Sequence, residues 1–592
     1  MCGIVGYSGK KDARNILISG LELLEYRGYD SAGIALVKDG EVNIYKDKGR
    51  VEHLKEITDY SYKTNVGIGH TRWATHGVPN MVNSHPHRSA GGRFTIVHNG
   101  VIENYKQIKI KYLSDYTFRS STDTEVVADL IEYFSRKMDT MKAILKAFNL
   151  LEGSYAVLIL DSENLDRIYF AKNRTPLAIG KSADGVIFAS DTIPLAGNTD
   201  EYVMLSDKTF GYSENGEIKC FDAGGEAEEV TFEKLTVSKD DFGKGMYEHY
   251  MMKEICEQPS VIRRIIQEYF NGEEIMIDEK ILELIRNATK INLVACGTSM
   301  YASFMAKYYF EKLCGIRTEV FVASELAYST PLILERPVFI YVSQSGETAD
   351  SIAVMKKFKD MKYPTICLTN SMNSTMAMMS DYVLNIYAGK EMAVASTKAY
   401  VAQVTVCAIL AKAASGKKTN LKNNLSKIAG VIEKIIDEKI IIEELAKKIY
   451  KETDVFYIGR GIDYWACLES ALKLKEVSYI HTEAYSSGEL KHGSIALIRQ
   501  GTPVIAICTQ EGTNSIVRSN LTETVTRGAM PIVFSMESMS DMNDTIIIPN
   551  VAHYLTPLTS VVVAQLLAYY VAKLRGNDID KPHNLAKSVT VE

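Results

Sequence analysis

The second residue of the chain could act as a nucleophile with the help of its own amino group. Removal of the initiator Met would leave Cys2 with both a thiol and a free α-amine. An α-amine has a pKa of about 8, so it can accept a proton near neutral pH. One residue would then supply nucleophile and base, as in N-terminal nucleophile enzymes. A Cys at this position also occurs by chance, so the prediction depends on what else the chain supplies.

Residues further along the chain fit an attack of this thiol on the side-chain amide of glutamine. The side-chain amide of Asn99 and the backbone N–H of Gly100 could stabilise the developing oxyanion. Arg72 offers a bidentate fork for the carboxylate of free glutamine, and Asp123 offers a carboxylate for its ammonium group. The structural alternatives are a type I′ turn at Asn99-Gly100 and a cap at Asp123 for a helix predicted over 123–136. Only the combination favours an amide-cleaving site.

Four histidines in the same stretch could instead bind zinc: His70, His76, His85 and His87. Their spacing is not a common ligand pattern, and no HExxH motif occurs. The nine cysteines include no CxxC pair, which argues against a thiolate zinc site and against a disulfide framework. We therefore expect no metal.

A second group of residues could bind a phosphate. Ser343, Ser345 and Thr348 lie in SQSGET after one apolar run, and Thr298 and Ser299 follow another. Turns of this kind expose hydroxyl and N–H groups at a helix N-terminus, where anions bind. No GxGxxG or GxxxxGK[ST] follows a strand, which argues against a dinucleotide or a nucleoside triphosphate. Ordinary N-capping is the alternative, but five hydroxyls on two turns favour an anion site.

Charged residues that could move protons on a sugar occur near the end of the chain. Glu469, Lys473 and Glu476 take positions i, i+4 and i+7 of a predicted helix, for which a surface salt-bridge ladder is the alternative. His492 lies beside a glycine in ELKHGS, and a carboxylate with a His is a usual pair for proton transfer. The chain ends in KPHNLAKSVTVE, a polar tail that predicts disorder yet contains Lys587.

The elements that must position these residues fall into two unlike halves. Residues 1 to about 235 contain short alternating strands and tight turns, such as Asp39-Gly40, and predict an α+β fold with an antiparallel bias. A glycine-rich, charged segment predicts a linker at 236–246. MYEHYMMKEICEQP then predicts a helix that is interrupted near Pro259.

The second half alternates strands and helices, which predicts doubly wound parallel sheets. DVFYIGRG (454–461) repeats NLVACGTS (292–299), and PVIAICTQEGTNS (503–515) repeats PVFIYVSQSGETAD (337–350), about 165 residues apart. A repeat of this length predicts a duplicated domain. The predicted domains are 2–235, 281–420 and 447–575, followed by a tail at 576–592.

Composition excludes several classes of protein. The 592 residues carry 73 acidic and 67 basic side chains, a net charge of −6, which gives no general attraction to nucleic acid or to anionic membranes. The N-terminus lacks a signal-peptide pattern, and the longest apolar run, near 561–571, is shorter than the ~20 residues of a membrane helix. We therefore expect a cytoplasmic protein without a nucleic-acid or membrane partner.

In combination, CGIVGY, LEYRGYDSAG (24–33), HTRWATHG, NSHPH, HNG and TDTE resemble the class II glutamine amidotransferase domain. The resemblance covers residues 1 to about 235 and implies a four-layer αββα N-terminal-nucleophile fold. It implies that Cys2 is the nucleophile and that Asn99 and Gly100 form the oxyanion hole. It also implies a glutamine pocket formed by Arg27, Arg72, Thr75, His76, Gly77 and Asp123.

In the second half, CGTS, SQSGET, ASTKA (395–399), ALKLKE, SGELKHG and LAKSVTVE resemble the isomerase half of the glutamine–fructose-6-phosphate aminotransferase family. That half consists of two sugar-isomerase (SIS) domains, and together the two resemblances cover essentially the whole chain. They imply a sugar-phosphate site formed by Thr298, Ser299, Ser343, Gln344, Ser345, Thr348, Val394 and Ser396.

The same resemblance implies catalytic roles. Glu476 would shuttle a proton between C1 and C2 of the sugar, with Lys473 nearby. His492, supplied by the neighbouring subunit of a homodimer, would assist ring opening, and Lys587 would form an imine with the open-chain ketose. Trp73 would gate a protected passage for ammonia.

The implied activity is transfer of the amide nitrogen of L-glutamine to D-fructose 6-phosphate. The products are D-glucosamine 6-phosphate and L-glutamate, in the first step of hexosamine (UDP-N-acetylglucosamine) biosynthesis, with no cofactor. Another amidotransferase, of the phosphoribosyl-transferring type, would need a phosphoribosyl-diphosphate loop where this chain has the SIS pair. A SIS sugar-phosphate sensor would need neither Cys2 nor Lys587, and a deglycase-like SIS enzyme usually lacks the glutaminase half.

Overall fold

The chain forms two compact units. The computed structural model describes residues 2–73, 77–235, 243–333, 336–417 and 420–590. One unit covers Met1–Gly243 and the other Lys244–Thr590, so the division falls inside the segment predicted as a linker. Most of that segment, residues 236–242, lies outside the described residues, as do Thr75 and His76 of the predicted glutamine pocket.

Antiparallel strands make up most of the regular secondary structure of the N-terminal unit. Its helices are α1 Ala13–Leu24, α2 Val51–Ile57, α3 Tyr105–Tyr112, α4 Asp123–Ser135 and α5 Thr140–Phe148. Its strands are β1 Gly3–Gly9, β2 Ser31–Lys38, β3 Glu41–Lys48, β4 Val66–Arg72, β5 His87–Arg88, β6 Phe94–Ile102, β7 Gly153–Asp161, β8 Asn164–Asn173, β9 Ala178–Ser182, β10 Gly185–Ala189, β11 Glu201–Met204, β12 Thr209–Glu214, β13 Glu217–Phe221, β14 Ala227–Glu228 and β15 Glu233–Lys234.

These elements stack in four layers. The strand orders are β15-β11-β9-β10-β1-β4-β2-β3 in one sheet and β14-β13-β12-β8-β7-β6-β5 in the other. Successive strand residues face opposite sides, so Ile4 packs between the sheets while Val5 packs against α1. In the second sheet Val97 lies between the sheets, and Ile96 packs against α4. The predicted αββα architecture is therefore confirmed.

The hairpin predicted at Asp39-Gly40 is also present. Asp39 has φ 51° and Gly40 has φ 81°, the left-handed pair that a tight two-residue turn needs. The turn joins β2 to β3, whose register runs from Lys38↔Glu41 to Ser31↔Lys48.

The C-terminal unit alternates helices and parallel strands. Its helices are α6 Tyr250–Tyr269, α7 Glu279–Arg286, α8 Gly297–Tyr309, α9 Ala323–Tyr328, α10 Ala349–Asp360, α11 Thr375–Met379, α12 Lys398–Ala414, α13 Leu421–Asp437, α14 Ile440–Ile449, α15 Ile462–Ser478, α16 Asn514–Val525 and α17 Pro557–Leu574. Its strands are β16 Phe270–Asn271, β17 Glu274–Ile275, β18 Lys290–Ala295, β19 Thr318–Val322, β20 Pro337–Val342, β21 Thr365–Thr369, β22 Tyr382–Asn385, β23 Asp454–Gly459, β24 His481–Ser486, β25 Pro503–Cys508, β26 Met530–Met536 and β27 Ile546–Ile548.

The duplication predicted from the repeated strand–turn segments is visible in the sheets. One five-stranded parallel sheet has the order β19-β18-β20-β21-β22, and the other has the order β24-β23-β25-β26-β27. Each places its first strand second from one edge, with the next strand of the chain at that edge. One apolar core joins both copies and includes α6, α12, α13 and α17.

The predicted helix break near Pro259 is wrong. Helix α6 runs through Pro259, which is buried. A proline in a helix interior leaves the carbonyl four residues earlier without its usual N–H donor. Here the Gln258 side-chain amide donates to the carbonyl of Ile255 at 3.1 Å, so the helix continues without an unpaired buried carbonyl.

One helical segment passes a length and composition test for crossing a membrane. It is His553–Leu574, with a mean hydropathy of 1.5, longer than the apolar run identified from the sequence. The whole window is buried within the protein, as is typical of a core helix.

Candidate active sites

The first site lies where the two sheets of the N-terminal unit bring β1, β4 and β6 together with the start of α4. A small cavity is lined by Cys2, Arg72, Trp73, His85, His98, Gly100, Thr122, Asp123 and Thr124. Gly3 pairs with Thr71, so the thiol of Cys2 lies beside the end of β4. Four residues predicted to act on glutamine thus meet in one cavity with the predicted gate.

Backbone groups of Trp73 contact the thiol of Cys2. The Trp73 N–H donates to Sγ at 3.3 Å, and the Trp73 carbonyl lies 3.5 Å from Sγ. Burial raises the pKa of the Cys2 thiol, although the Trp73 hydrogen bond and the Arg72 guanidinium act in the opposite direction. The thiol therefore needs a base to form the thiolate.

Asn99 and Gly100 lie within strand β6, so the turn alternative is wrong. Asn99 pairs with Ala156 and Gly100 with Tyr155 on β7. Asn99 Nδ2 donates to the Cys2 carbonyl at 3.0 Å, which places the side-chain amide next to the nucleophile. Gly100 has φ 123°, and a Cβ there would lie 2.0 Å from the carbonyl oxygen of Ser154, so only glycine fits.

The two groups predicted to bind the charged ends of glutamine are buried. Arg72 is 3% exposed and donates from Nη2 to the Gly77 carbonyl at 3.0 Å. Asp123 accepts from the Ile102 N–H at 2.8 Å, whereas the side chain that caps α4 is that of Thr122. The capping alternative for Asp123 is therefore wrong.

Arg27, predicted for the glutamine pocket, contacts the residues that follow β10. It donates to the carbonyl of Ser190 at 3.1 Å and to Asp191 Oδ2 at 3.2 Å. Asp191 also accepts from the Tyr26 hydroxyl at 2.6 Å. In this structure Arg27 ties the segment after α1 to the end of β10.

The histidine cluster forms no metal site within the described residues. The rings of His70 and His85 stack with centroids 4.0 Å apart, and His87 contacts His85 edge-on at 4.7 Å. Burial lowers the pKa of His70 to about 3 and lowers the pKa of His85 and His87 strongly. These rings are neutral and pack beside the cavity; His76 lies outside the described residues.

The second site is built on the turns that follow β18 and β20. Ser343 Oγ lies 3.1 Å from Thr348 Oγ1 and accepts from the Gly346 N–H at 3.1 Å. Ser345 Oγ accepts from the Glu347 N–H at 3.2 Å. Thr348 is the N-cap residue of α10 but makes no side-chain capping bond, so simple N-capping does not account for these hydroxyls. The backbone carbonyl of Gln344 accepts from the Asn370 N–H at 3.1 Å, which fixes the turn.

The first turn meets the charged residues of α15. Lys473 Nζ donates to Thr298 Oγ1 at 2.9 Å and lies 2.6 Å from Glu476 and 3.5 Å from Glu469. The side chains of Lys473 and Glu469 are 1% and 0% exposed, so the surface-ladder alternative is wrong. Ser299 Oγ accepts from Gln403 Nε2 at 2.9 Å.

Buried charges at this site have shifted protonation equilibria. Burial acts to lower the pKa of Lys473, but Glu469 and Glu476 outweigh it and raise that pKa. Burial raises the pKa of Glu469 to about 8, against the opposing effect of Lys473. Buried groups with perturbed pKa values that lie together in this way are candidates for functional residues.

The C-terminal tail packs onto the same site, although tails of this composition are commonly disordered. Ser588 Oγ lies 3.0 Å from Ser345 Oγ, and the Val589 carbonyl accepts from the Ala349 N–H at 3.0 Å. Lys587 forms a buried ion pair with Glu391. These contacts supply hydrogen bonds and an ion pair to polar groups of the tail that would otherwise be bound by water.

Glu391 also joins the predicted sugar residues to this cluster. Ser396 Oγ donates to Glu391 Oε2 at 2.9 Å, and Val394 donates its N–H to the Asp580 carbonyl at 2.9 Å. No sequence pattern identified Glu391. The one signal in the sequence is that an acidic residue lies shortly before the ASTKA motif. His492 is exposed at the end of a short helical turn and makes no contact with the cluster among the described residues.

In the second parallel-sheet copy, a buried acid at the start of α15 contacts the residue that follows β25. Asp463 accepts from the Thr509 N–H at 2.8 Å and from the Thr509 hydroxyl. Burial raises the pKa of Asp463 to about 7, against the opposing effect of the hydrogen bonds from Thr509.

Comparisons with known proteins define the class. A model described as "Glutamine amidotransferase domain" matches residues 70–196, and a model described as "SIS domain" matches residues 284–413 and 448–575. The chain is therefore an amidotransferase with an N-terminal glutamine amidotransferase domain followed by two SIS domains.

Full-length relatives identify the family. The chain is 48% identical to proteins named glutamine–fructose-6-phosphate aminotransferase (isomerizing) from Staphylococcus aureus and Staphylococcus epidermidis, over 100% of both chains. A solved C-terminal domain of glucosamine-fructose-6-phosphate aminotransferase from Francisella tularensis is 33% identical. That match covers 57% of this chain and 99% of that chain, with a TM-score of 0.56. The chain belongs to the glutamine–fructose-6-phosphate aminotransferase (isomerizing) family.

Proposed function

We propose that Cys2 and Lys587 carry out the two halves of this family's reaction in this chain. The enzyme transfers the amide nitrogen of L-glutamine to D-fructose 6-phosphate and isomerises the product. It yields D-glucosamine 6-phosphate and L-glutamate and so begins hexosamine biosynthesis. The observation that carries the proposal is that residues scattered along the sequence assemble into two sites, one in each unit.

In the first half-reaction, Cys2 attacks the side-chain amide of glutamine. Its own α-amine, once Met1 is removed, takes the thiol proton and passes it to the departing ammonia. Asn99 Nδ2 and the Gly100 N–H stabilise the oxyanion, and water hydrolyses the glutamyl thioester. Arg72 and Asp123 bind the α-carboxylate and α-ammonium groups; Thr75, His76 and Gly77 complete the pocket with Arg27.

In the second half-reaction, the turns after β18 and β20 hold the sugar phosphate. Thr298, Ser299, Gln344 and the three hydroxyls at 343–348 supply donors, and Val394 and Ser396 line the sugar. Lys587 adds to C2 of the open-chain ketose, and loss of water gives an imine. Ammonia then displaces the lysine amine.

Isomerisation follows at C1 and C2. Glu476, paired with Lys473, removes a proton from one carbon and returns it to the other. His492 acts in ring opening from the neighbouring subunit of a homodimer, which agrees with its separation from the cluster within one chain. Trp73, which lines the Cys2 cavity, gates the escape of ammonia, because ammonia protonated by water no longer acts as a nucleophile. The enzyme works in the cytoplasm without a cofactor.

Two variants separate the half-reactions. Cys2→Ala should abolish glutamate release but retain synthesis of glucosamine 6-phosphate from added ammonium salt. Lys587→Ala should abolish synthesis from either nitrogen source while glutamine hydrolysis continues. Glutamate and glucosamine 6-phosphate are quantified in the same samples. Loss of both activities in either variant, with the melting curve unchanged, would contradict the assignment of these residues to separate sites.

A further inference from the structure

The amine of Lys587 contacts a carboxylate that is held in place by other groups. The Glu391 side chain is 0% exposed, and that of Lys587 is 5% exposed. Glu391 accepts from the Ser396 hydroxyl at 2.9 Å and from the backbone N–H groups of Thr397 at 2.9 Å and Ala399 at 3.0 Å. These donors lie at the start of α12, where a helix favours an anion. The position of the carboxylate is therefore fixed by the fold as well as by the lysine.

A second buried carboxyl group lies next to this pair. Glu254, on α6, accepts from the backbone N–H groups of Met392 and Ala393 with Oε1, while its buried Oε2 has no hydrogen-bond partner among the described residues. Burial and then the charge of Glu391 raise the pKa of Glu254 to about 8. Burial acts to raise the pKa of Glu391 too, but Lys587 outweighs it and holds that pKa low. At neutral pH the charged acid is Glu391.

The other lysines nearby already have partners. Lys398 lies 2.6 Å from Glu257, and Lys473 lies among the acids of α15. Three lysines act electrostatically on this pair of acids: Lys398, Lys473 and Lys587. The two acids, Glu391 and Glu254, also act on one another. The amine of Lys587 remains as the cation in direct contact with Glu391.

We propose that Glu391 is a positioning residue for Lys587, holding its amine beside Ser396 at the point where the sugar carbonyl binds. The inference rests on the proposed role of Lys587. The sequence led us to expect cations or burial around this amine, which would favour the neutral form. The structure places the carboxylate of Glu391 against it instead.

Ammonia-dependent synthesis by the full-length enzyme tests this role, because it does not need Cys2. Glu391→Gln should lower kcat on the order of 100-fold through misplacement of the amine, with a much smaller rise in KM for fructose 6-phosphate. Removal of the neighbouring charge should also move the acid limb of the kcat profile down by about one to three pH units. A purely structural role would not move that limb.

Two further variants serve as matched comparisons. Glu254→Gln removes the other buried acid of the pair but mimics its protonated form, so the acid limb should stay where it is. Glu391→Asp keeps the charge and shortens its reach, so kcat should fall while the limb stays. If Glu391→Gln does not fold, the Asp variant decides: an unchanged kcat overturns the proposal. A limb that moves in Glu254→Gln but not in Glu391→Gln also overturns it.

Borohydride trapping separates this inference from the proposed function. Wild-type enzyme with fructose 6-phosphate should give a sugar adduct on Lys587, identified by peptide mapping. An adduct on another lysine, or none, would mean that the proposed role of Lys587 is wrong. If the adduct forms on Lys587 and Glu391→Gln traps it equally fast with an unmoved acid limb, only the positioning role is wrong.

Discussion

At the scale of single residues, the N-terminal site depends on backbone conformations that only particular side chains allow. Gly100 supplies its proposed oxyanion donor from a strand position with φ 123°, where an added Cβ would lie 2.0 Å from a backbone oxygen. The motif HNG identified this glycine, but the sequence also allowed a turn. What decided between them was the pairing with β7, more than fifty residues further on, which local patterns do not encode.

Gly100→Ala should therefore destabilise the N-terminal unit more than an ordinary loop substitution. The left-handed conformation alone costs about 1–3 kcal/mol for a residue with a side chain, and the clash adds to that. Gly92→Ala is the matched control, since Gly92 has φ 87° but nothing within 4 Å of the added Cβ. Urea unfolding of both variants measures the difference; equal free energies of unfolding would show that the strand relaxes around the methyl group.

The buried imidazole of His70 should make stability depend on pH. Its pKa is about 3 in the folded unit, against about 6.5 when unfolded. A depressed pKa contributes stability that is present above pH 6.5 and is lost as pH falls toward 3, by about 1.4 kcal/mol per pH unit.

The comparison of wild type with His70→Gln isolates this contribution, because other titrating groups cancel. Trp73 reports on the N-terminal unit once the second tryptophan is removed by Trp465→Phe. The stability advantage of the wild-type histidine should shrink between pH 7 and pH 5. A constant difference between the two chains over that range would mean that His70 is not buried as a neutral ring.

At the scale of elements, the longest-range contacts were the hardest to anticipate. The Asp39-Gly40 pair was sufficient to predict the hairpin. The repeated strand–turn–helix pattern in the second half was sufficient to predict both parallel sheets. The helix break at Pro259 was wrongly predicted because the compensating donor is a side chain, which a backbone rule does not consider. Glu391 was missed because its partner Lys587 lies 196 residues away, in a tail whose composition suggests disorder.

Gln258→Ala should lower the free energy of unfolding, because the Ile255 carbonyl, which Pro259 leaves without a backbone donor, then loses its side-chain donor as well. The Gln258 amide donates both to Ile255 and, at 2.8 Å, to Gln565 on α17, and its loss leaves buried acceptors unpaired. We expect a loss of about 1–3 kcal/mol in the free energy of unfolding.

Pro259→Ala supplies the control in a double-mutant cycle. An alanine at 259 restores an N–H for the Ile255 carbonyl, so it should stabilise the Gln258→Ala chain more than it stabilises wild type. Additive effects would contradict the role given to the Gln258 side chain.

At the scale of the whole molecule, one chain combines two chemistries that are useful only together. A glutamine amidotransferase domain precedes a duplicated SIS domain, and family membership over the full length agrees with the two sites. In the duplicated half the two copies differ at the turn after the third strand, where Asp463 accepts from Thr509 in the second copy. The proposed sugar site draws on both copies and on the tail, since Lys473 contacts Thr298 and Ser588 contacts Ser345.

The central claim is that the amide nitrogen of glutamine becomes the amine of the sugar product. The most direct test is mass spectrometry of the product formed from amide-¹⁵N glutamine and fructose 6-phosphate in ammonium-free buffer. The account predicts glucosamine 6-phosphate that carries ¹⁵N at every turnover, with an equal amount of glutamate. Unlabelled product, or glutamate released without labelled sugar, would contradict it.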